Sequence, residues 1–382
     1  EMCIRDRLET ARDSERQRQA CREIVRELTV VSKQFERPEE IKLAIARKYG
    51  LTTIPRNSDI LAVAPTHHRE TLRRTLQLKH VRAVSGVHVI GVMAAPQRCP
   101  HGRCAYCPQE DDAPTSYTGY EPAAMRAKQS NFDPYRQLSS RLSQLQAIGH
   151  RPSKVELVIQ GGTFLANPLA YQRRFLSRCL DALNGADSDS LEEAKVRAES
   201  STMRNVGLTF ETRPDWARET HVDLMLSYGA TRVEIGVQTL DDHILQLVDR
   251  QHSVEDVIDS FRIVKDAGLK IVAHMMPGLP GSTPETDLEG FKRLVSDPRF
   301  RPDMLKIYPC LIVRGTRVFD WWRNGVYSPL DTDGAARLIA SVKEFTPAWM
   351  RIMRIQREIP ARLIVAGPRK GNLREHGRAV LR

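Results

Sequence analysis

Short apolar runs alternating with helical stretches from residue 87 onward constrain this chain more than any other feature. Strand candidates fall at 87–95, 154–162, 206–213, 232–238, 270–277 and 304–309. Helical stretches at 122–149, 168–184, 254–267 and 284–296 lie between them. Such alternation gives a parallel sheet with right-handed crossovers. Six units predict an α/β fold, a partial (β/α)6 barrel, with an open doubly wound sheet as the alternative. A chain of 382 residues can hold that domain and a smaller one.

The strands carry a second pattern. Strand side chains alternate between faces. Val233, Ile235 and Val237 oppose Glu234, Gly236 and Gln238; Leu208 and Phe210 oppose Thr209, Glu211 and Arg213. Val155, Leu157 and Ile159 oppose Lys154, Glu156 and Gln160, and Leu305 and Ile307 oppose Lys306 and Tyr308. Parallel strands buried on both faces read as continuous apolar runs instead. One apolar face for the helices and one polar face for the interior predict a charged lumen. Unpartnered ionisable groups are costly to bury, so these pair with each other or with a polar ligand.

At the C-terminal end of the first strand come Cys99, Cys104 and Cys107, within Cys99-Pro-His-Gly-Arg-Cys-Ala-Tyr-Cys107. Three thiolates on one loop can hold three corners of a [4Fe–4S] cube and leave the fourth iron open, whereas four cysteines are usual. A zinc site completed by His101 is the alternative, and unrelated thiols the third reading. Gly161-Gly162-Thr163 follows the second strand, Arg213-Pro-Asp215 the third, Gln238-Thr239 the fourth and Pro277-Gly-Leu-Pro-Gly281 the fifth. Active sites of barrel folds gather at this rim. The glycine pair lets a ligand approach the backbone and offers it N–H groups.

The net charge of +11 is uneven. Residues 1–90 carry 18 basic and 12 acidic side chains, residues 347–382 carry 9 and 2, and the middle 31 and 33. A near-neutral centre with basic ends suggests a polyanion partner, and His67-His68-Arg69 with Arg73-Arg74 is a candidate phosphate-contacting segment. Residues 8–48 read as helical, with Pro38 opening a second helix. An acidic stretch at 187–199 reads as an inserted surface helix. No apolar run reaches eighteen residues, so no membrane span is expected. Seven cysteines, three of them clustered, argue for a reducing, cytoplasmic setting. Cys3, Cys21, Cys179 and Cys310 read as ordinary thiols.

The cysteine loop followed by Gly-Gly-Thr resembles radical S-adenosylmethionine (SAM) enzymes. Narrower words, Ser116-Tyr-Thr-Gly-Tyr-Glu-Pro122, Glu211-Thr-Arg-Pro-Asp215, Glu234-Ile-Gly-Val-Gln238, Ala273-His-Met-Met-Pro277, Leu305-Lys-Ile-Tyr-Pro309 and Gly371-Asn-Leu-Arg-Glu375, are similar to the catalytic subunit of Elongator. The resemblance implies a radical SAM barrel over residues 85–346, a helical, tRNA-binding basic region over 1–84 and a basic extension over 347–382. It implies modification of the wobble uridine of tRNA at ring carbon 5. A 5′-deoxyadenosyl radical would take hydrogen from the methyl of acetyl-CoA, the carbon radical would add to the uracil, and thioester hydrolysis would leave a carboxymethyl group.

Carried over, Cys99, Cys104 and Cys107 are cluster ligands, and Gly161, Gly162 and Thr163 meet the SAM amino group. Lys154 and Lys306 are inward cations for the SAM carboxylate or the acetyl unit, with catalytic roles. Glu211, Arg213, Glu234, Gln238 and His274 are lumen residues for the SAM ribose or the uracil. Tyr117 and Tyr120 offer stacking faces or simple packing. An electron donor is implied, and a homodimer is left open. The family continues into an acetyltransferase-like domain, which 382 residues do not include. A fragment or short relative is therefore expected, one that binds cluster, SAM and tRNA but completes the reaction poorly. The competing readings are a zinc-bearing tRNA-binding module and a different radical SAM reaction.

Overall fold

The structure, a computed structural model, describes residues 2–30, 38–76 and 85–380. The chain divides into two compact units, residues 1–88 with 139–155, and residues 89–138 with 156–382.

The first unit is built on helices Met2–Val30, Pro38–Lys48, Asn57–Val63 and Thr66–Leu76. Cys21, Ile24, Ile45, Ile60, Leu72 and Leu76 form its core. Lys42 is buried there and donates to Asn57 Oδ1 at 2.8 Å, so its charge is solvated by an amide and by Glu39. Arg73 is not a free phosphate ligand. Its guanidinium donates to the Gly149 carbonyl at 2.6 Å and to Glu70. Arg74 remains exposed, 3.5 Å from Glu70. The side chain of Cys3 lies outside the described residues.

The second unit is organised by strands β1 (Val87–Met93) and β2 (Lys154–Gln160), each from its third residue on, with β3 (Arg204–Thr212), β4 (Arg232–Gln238), β5 (Lys270–Met275), β6 (Met304–Ile307) and β8 (Arg351–Ile355). They form one curled parallel half-barrel sheet in the order β1-β2-β3-β4-β5-β6-β8. A small antiparallel pair, β7 (Ile312–Val313) with β9 (Ile364–Ala366), stands apart. The seventh strand of the main sheet falls within the segment read from sequence as a basic extension. Its Arg-Ile-Met-Arg-Ile pattern is half-exposed and lacks a continuous apolar run. It pairs with β6 all the same, placing Lys306 beside Arg354.

Helix boundaries follow local chemistry. The stretch 122–149 is two helices, Pro122–Gln129 and Pro134–Ala147. The break contains Asn131 and Phe132 at positive φ, and Pro134 can only open the next helix. Ser190 caps the helix Leu191–Ser200 by accepting from the Glu193 N–H. Ser253 and Asp256 form a capping box on helix Val254–Asp266, whose Val257, Phe261 and Val264 pack inward at helical spacing. Each such side chain contributes about 1.5–3 kcal/mol on burial. The apolar strand face predicted from alternation is fully buried: Val233, Ile235, Val237 and Phe210 have no exposed surface.

Candidate active site

The cysteine loop leaves β1 and folds back on itself. The Gly102 N–H donates to the Cys99 carbonyl and the Cys107 N–H to the Cys104 carbonyl, both at 3.1 Å. Gly102 supplies the positive φ this turn requires. The loop is clamped from two sides, because the Ala105 N–H donates to Val248 O at 2.9 Å and the Ala105 carbonyl accepts from Val318 N–H at 3.1 Å. Cys99, Cys104 and Cys107 consequently line one cavity. Their environments differ. A hydrogen bond from Cys107, assisted by His101 at 3.2 Å and by Arg250, holds the Cys104 thiol well below its ordinary value. Its bonding to Cys104 and burial push Cys107 up, and burial pushes up Cys99.

Across the cavity, Gly161 and Gly162 turn the chain at the end of β2 with φ of 125° and 81°. A Cβ on Gly162 would lie 3.7 Å from Cys99 Sγ, so a side chain here would fill the space facing the loop. A Cβ on Gly161 would press the Ala94 backbone at 3.3 Å. Thr163 is buried, and its Oγ1 has no partner among the described residues. Buried hydroxyls are normally paired, so this one is suited to a polar ligand. Three thiols on one side and a bare glycine with an unpartnered hydroxyl on the other fit a thiolate-held cluster carrying an amino-acid-like ligand.

Strand register builds the floor. Glu211 of β3 lies directly beside Glu234 of β4, and His274, Lys306 and Arg354 lie side by side on β5, β6 and β8. Two acids therefore face three nitrogen bases across the curl of the sheet. Glu234 is fully buried and accepts from both Lys306 Nζ and His274 Nε2, the latter at 2.9 Å. Burial opposes ionisation of Glu234, but Lys306 and His274 hold it well below the carboxylate range. Lys306 is correspondingly raised against its own burial by Glu234. Glu211 accepts from Tyr117 Oη at 2.8 Å and from Gln160 Nε2 at 3.3 Å. Tyr308 meets His274 edge-on at 5.5 Å.

The cavity gathers Gly162, Thr163, Glu211, Arg213, Glu234, Gln238 and His274 with the three cysteines. Gly161 supports the turn behind it, and Lys306 reaches it through Glu234. Lys154 does not arrive. It is the exposed first residue of β2, and six residues at about 3.3 Å each put it about 20 Å from the rim. Arg213 lines the wall, but its fork is already engaged. It holds Asp215 at 2.8 and 3.0 Å and donates to the carbonyls of Arg250 and Gln251. Tyr117 joins the site through Glu211, whereas Tyr120 is half-exposed between Lys128 and Arg362. Sequence reasoning missed Arg250, Arg354 and Arg357, which also line the cavity. The first lies in a loop between two helices and the others at or beyond β8, where no apolar run marks a strand.

Comparison with known proteins bears on the same residues. Residues 95–293 match the Radical SAM superfamily, 302–380 the Radical_SAM C-terminal domain and 17–84 the ELP3 N-terminal domain. A tRNA uridine(34) acetyltransferase of Methanocaldococcus jannaschii is 46% identical over 89% of this chain and 64% of its own length. Elongator complex protein 3 of Schizosaccharomyces pombe is 42% identical over 93% of this chain and 68% of its own. The solved structure of Methanocaldococcus infernus Elp3 with an N-terminal deletion superposes with a TM-score of 0.69 at 42% identity, covering 78% of this chain and 62% of that one. The chain thus spans about two thirds of the length of these relatives. The superfamily's cofactors are a [4Fe–4S] cluster and SAM, which the thiols, the glycine turn and Thr163 fit. By the half of its length that matches the superfamily and by its identity to these relatives, the chain belongs to the radical SAM superfamily, in the family of Elongator complex protein 3 and the tRNA uridine(34) acetyltransferases.

Proposed function

We propose that this chain is the radical-generating part of an enzyme that modifies the wobble uridine of tRNA at carbon 5, using acetyl-CoA as the source of a carboxymethyl group. The observation that carries the reading is the cavity itself: three thiols of one loop face Gly162 and the unpartnered Thr163 hydroxyl over a charged floor. When bound, the cluster and SAM supply a carbon radical able to remove hydrogen from an unactivated methyl group. The remaining work belongs to the protein.

Thr163 Oγ1 and the backbone around Gly162 are placed for the amino and carboxylate groups of an amino-acid-like ligand. Lys306 is a positioning residue, since its ammonium is committed to Glu234. Glu234 in turn orients His274; with Nε2–H donated to the carboxylate, Nδ1 is left as the acceptor that can take a proton from water attacking a thioester. Arg354 and Arg357 place two cations at the cavity wall for an anionic or carbonyl-bearing substrate. Tyr117 and Tyr308 enclose the floor, and exclusion of water protects a radical from wrong hydrogen donors. An external electron donor and a cytoplasmic setting belong to the same proposal. Among the described residues no helix is long and apolar enough to cross a membrane.

Anaerobic reconstitution with iron and sulfide tests it. Reduced protein is expected to cleave SAM to 5′-deoxyadenosine, with stimulation by tRNA and acetyl-CoA. Colourless, zinc-loaded protein with no paramagnetic reduced state would overturn the reading.

A further inference from the structure

Helix Arg317–Arg323 lies against the back of the cysteine loop. Cys104, Tyr106 and Cys107 line the cavity, whereas Ala105 between them bonds outward, its carbonyl accepting from the Val318 N–H at 3.1 Å. Arg103 ties the same two segments together, donating to the Cys107 carbonyl at 3.2 Å and to the Gly315 carbonyl. Thr316 opens the helix by accepting from the Phe319 N–H at 3.3 Å. Val318 is buried in one cluster with Cys104 and Cys107, and Phe319, Trp321 and Trp322 pack on that cluster. Residues 314–323 themselves line none of the cavity.

The other side of this helix faces solvent. Arg314, Arg317 and Arg323 are exposed, over aromatic rings that are only partly covered. Arg314 and Arg323 lie on Phe319, 5.6 and 5.7 Å from the ring centre, and Arg317 lies on Trp321 at 5.8 Å. Just past the helix, Val326 is 76% exposed. With Arg103, four arginines stand against two acids, Asp320 at 3.3 Å from Arg323 and Asp249 bonded to Arg317. Arg103 and Arg314 have no carboxylate partner among the described residues. An excess of cations draws in an acidic partner. Arginine over Phe and Trp is the composition of interface centres.

We propose that this face docks the electron donor, a small acidic protein carrying a low-potential one-electron centre. The inference rests on the reading that Cys99, Cys104 and Cys107 hold a cluster that must be reduced. In the transfer the donor loses one electron and the cluster gains it; no bond is made or broken. The cavity side is taken by SAM and substrate when the electron is needed, so the back of the loop is the open approach. Only the helix intervenes there, and a helix with its side chains is about 10–12 Å across. Basic and aromatic groups together also suit RNA, but a uridine must enter the cavity, which this face does not line.

The probe is an acidic plant-type [2Fe–2S] ferredoxin, mixed anaerobically with the reconstituted full chain. Two quantities are read: its affinity, by anisotropy of a fluorescent label on the ferredoxin, and the rate at which its reduced form reduces the cluster, by stopped flow. In the double variant Arg314→Glu, Arg323→Glu, affinity and rate are expected to fall about tenfold or more at about 0.02 M salt, and to differ from wild type by less than about twofold at about 0.5 M. Both side chains are exposed, so the fold is expected to stand. The charge-matched variant Arg262→Glu, Lys292→Glu, on helices Val254–Asp266 and Pro284–Ser296, should keep the wild-type values. Wild-type values in the first variant, an equal loss in the second, or ferredoxin binding to wild type that salt does not weaken each overturn the inference. So does wild-type chain that dithionite reduces but ferredoxin neither binds nor reduces. Lost tRNA affinity in the first variant with ferredoxin unaffected assigns the face to RNA and overturns it too. Wild-type chain with no cluster that dithionite can reduce overturns the cofactor reading first, an outcome separate from the others.

Discussion

Glu234→Gln is expected to be among the most damaging single substitutions in the second unit, through stability as well as chemistry. Glu234 is 1% exposed and Lys306 7%, and they are joined by a direct hydrogen bond. Unit charges 4 Å apart attract by about 4 kcal/mol at an effective dielectric of about 20. Removing one partner leaves the other charge buried, at a cost of about 3–5 kcal/mol. Gln keeps an acceptor for His274, so the loss isolates the ion pair. Glu234 is lowered, so its contribution is present above the unfolded carboxylate value of about 4.3 and is lost only at much lower pH. Lys306 is raised, so its contribution is present below about 10.4 and is lost above its folded value. The wild-type pair is thus constant across neutral pH. In Glu234→Gln, Lys306 is buried without its acid and its folded value falls, so the deficit should shrink as pH rises toward 10. All four tryptophans, Trp216, Trp321, Trp322 and Trp349, lie in the second unit, so tryptophan fluorescence in urea reports on it alone. Adding Lys306→Met should recover at least about 2 kcal/mol of the loss, because replacing both members of a buried pair is often near neutral. A single-variant cost below about 1 kcal/mol, or a double variant as unstable as the sum of the singles, would refute the reasoning.

The other expectations follow from the same geometry. Thr163→Val should weaken SAM binding about five- to tenfold, roughly one hydrogen bond, with the fold unchanged by circular dichroism; unaltered affinity would remove Thr163 from the ligand set. Lys154→Ala should leave SAM affinity within threefold of wild type, because the residue sits at the far end of its strand. Arg73→Ala should lower stability by about 1–3 kcal/mol, since it bonds Gly149 and Glu70, whereas Arg74→Ala should spare stability and reduce the salt dependence of tRNA binding by about one unit of slope if that helix meets phosphate. Burial pushes Asp287 up to about 6 while it accepts from the Gly278 N–H, so its contribution is present below the unfolded value of about 3.9 and is lost as pH rises through about 6. Asp287→Asn should flatten that stretch of the stability profile, and an unchanged slope between pH 4 and 6 would count against it.

What was legible in the sequence is the face of each strand, and what was not is depth along it. Alternation assigned Glu211, Glu234, Lys306 and Lys154 alike to the polar face. Only register separates them: Glu211 and Glu234 are paired neighbours in the cavity floor, while Lys154 begins its strand and ends in solvent. Arg213 shows a second limit. Its place after β3 was readable, but Asp215 and the carbonyls at 250 and 251 engage its donors, and the pairing with 250 and 251 spans 37 and 38 residues. No continuous apolar run marks the seventh strand, because it lies at the sheet edge, yet it brings Arg354 into the floor. Arg250 marks the sharpest case. Nothing in Val-Asp-Arg-Gln-His sets its arginine apart from the many basic residues of this chain. Its meaning comes from the loop beside it, which turns a surface-type residue into a buried cation whose sulfur contact is Cys104. A buried charge with no carboxylate paired to it among the described residues is evidence about what the polypeptide is built to hold, and that evidence exists only once the chain has folded.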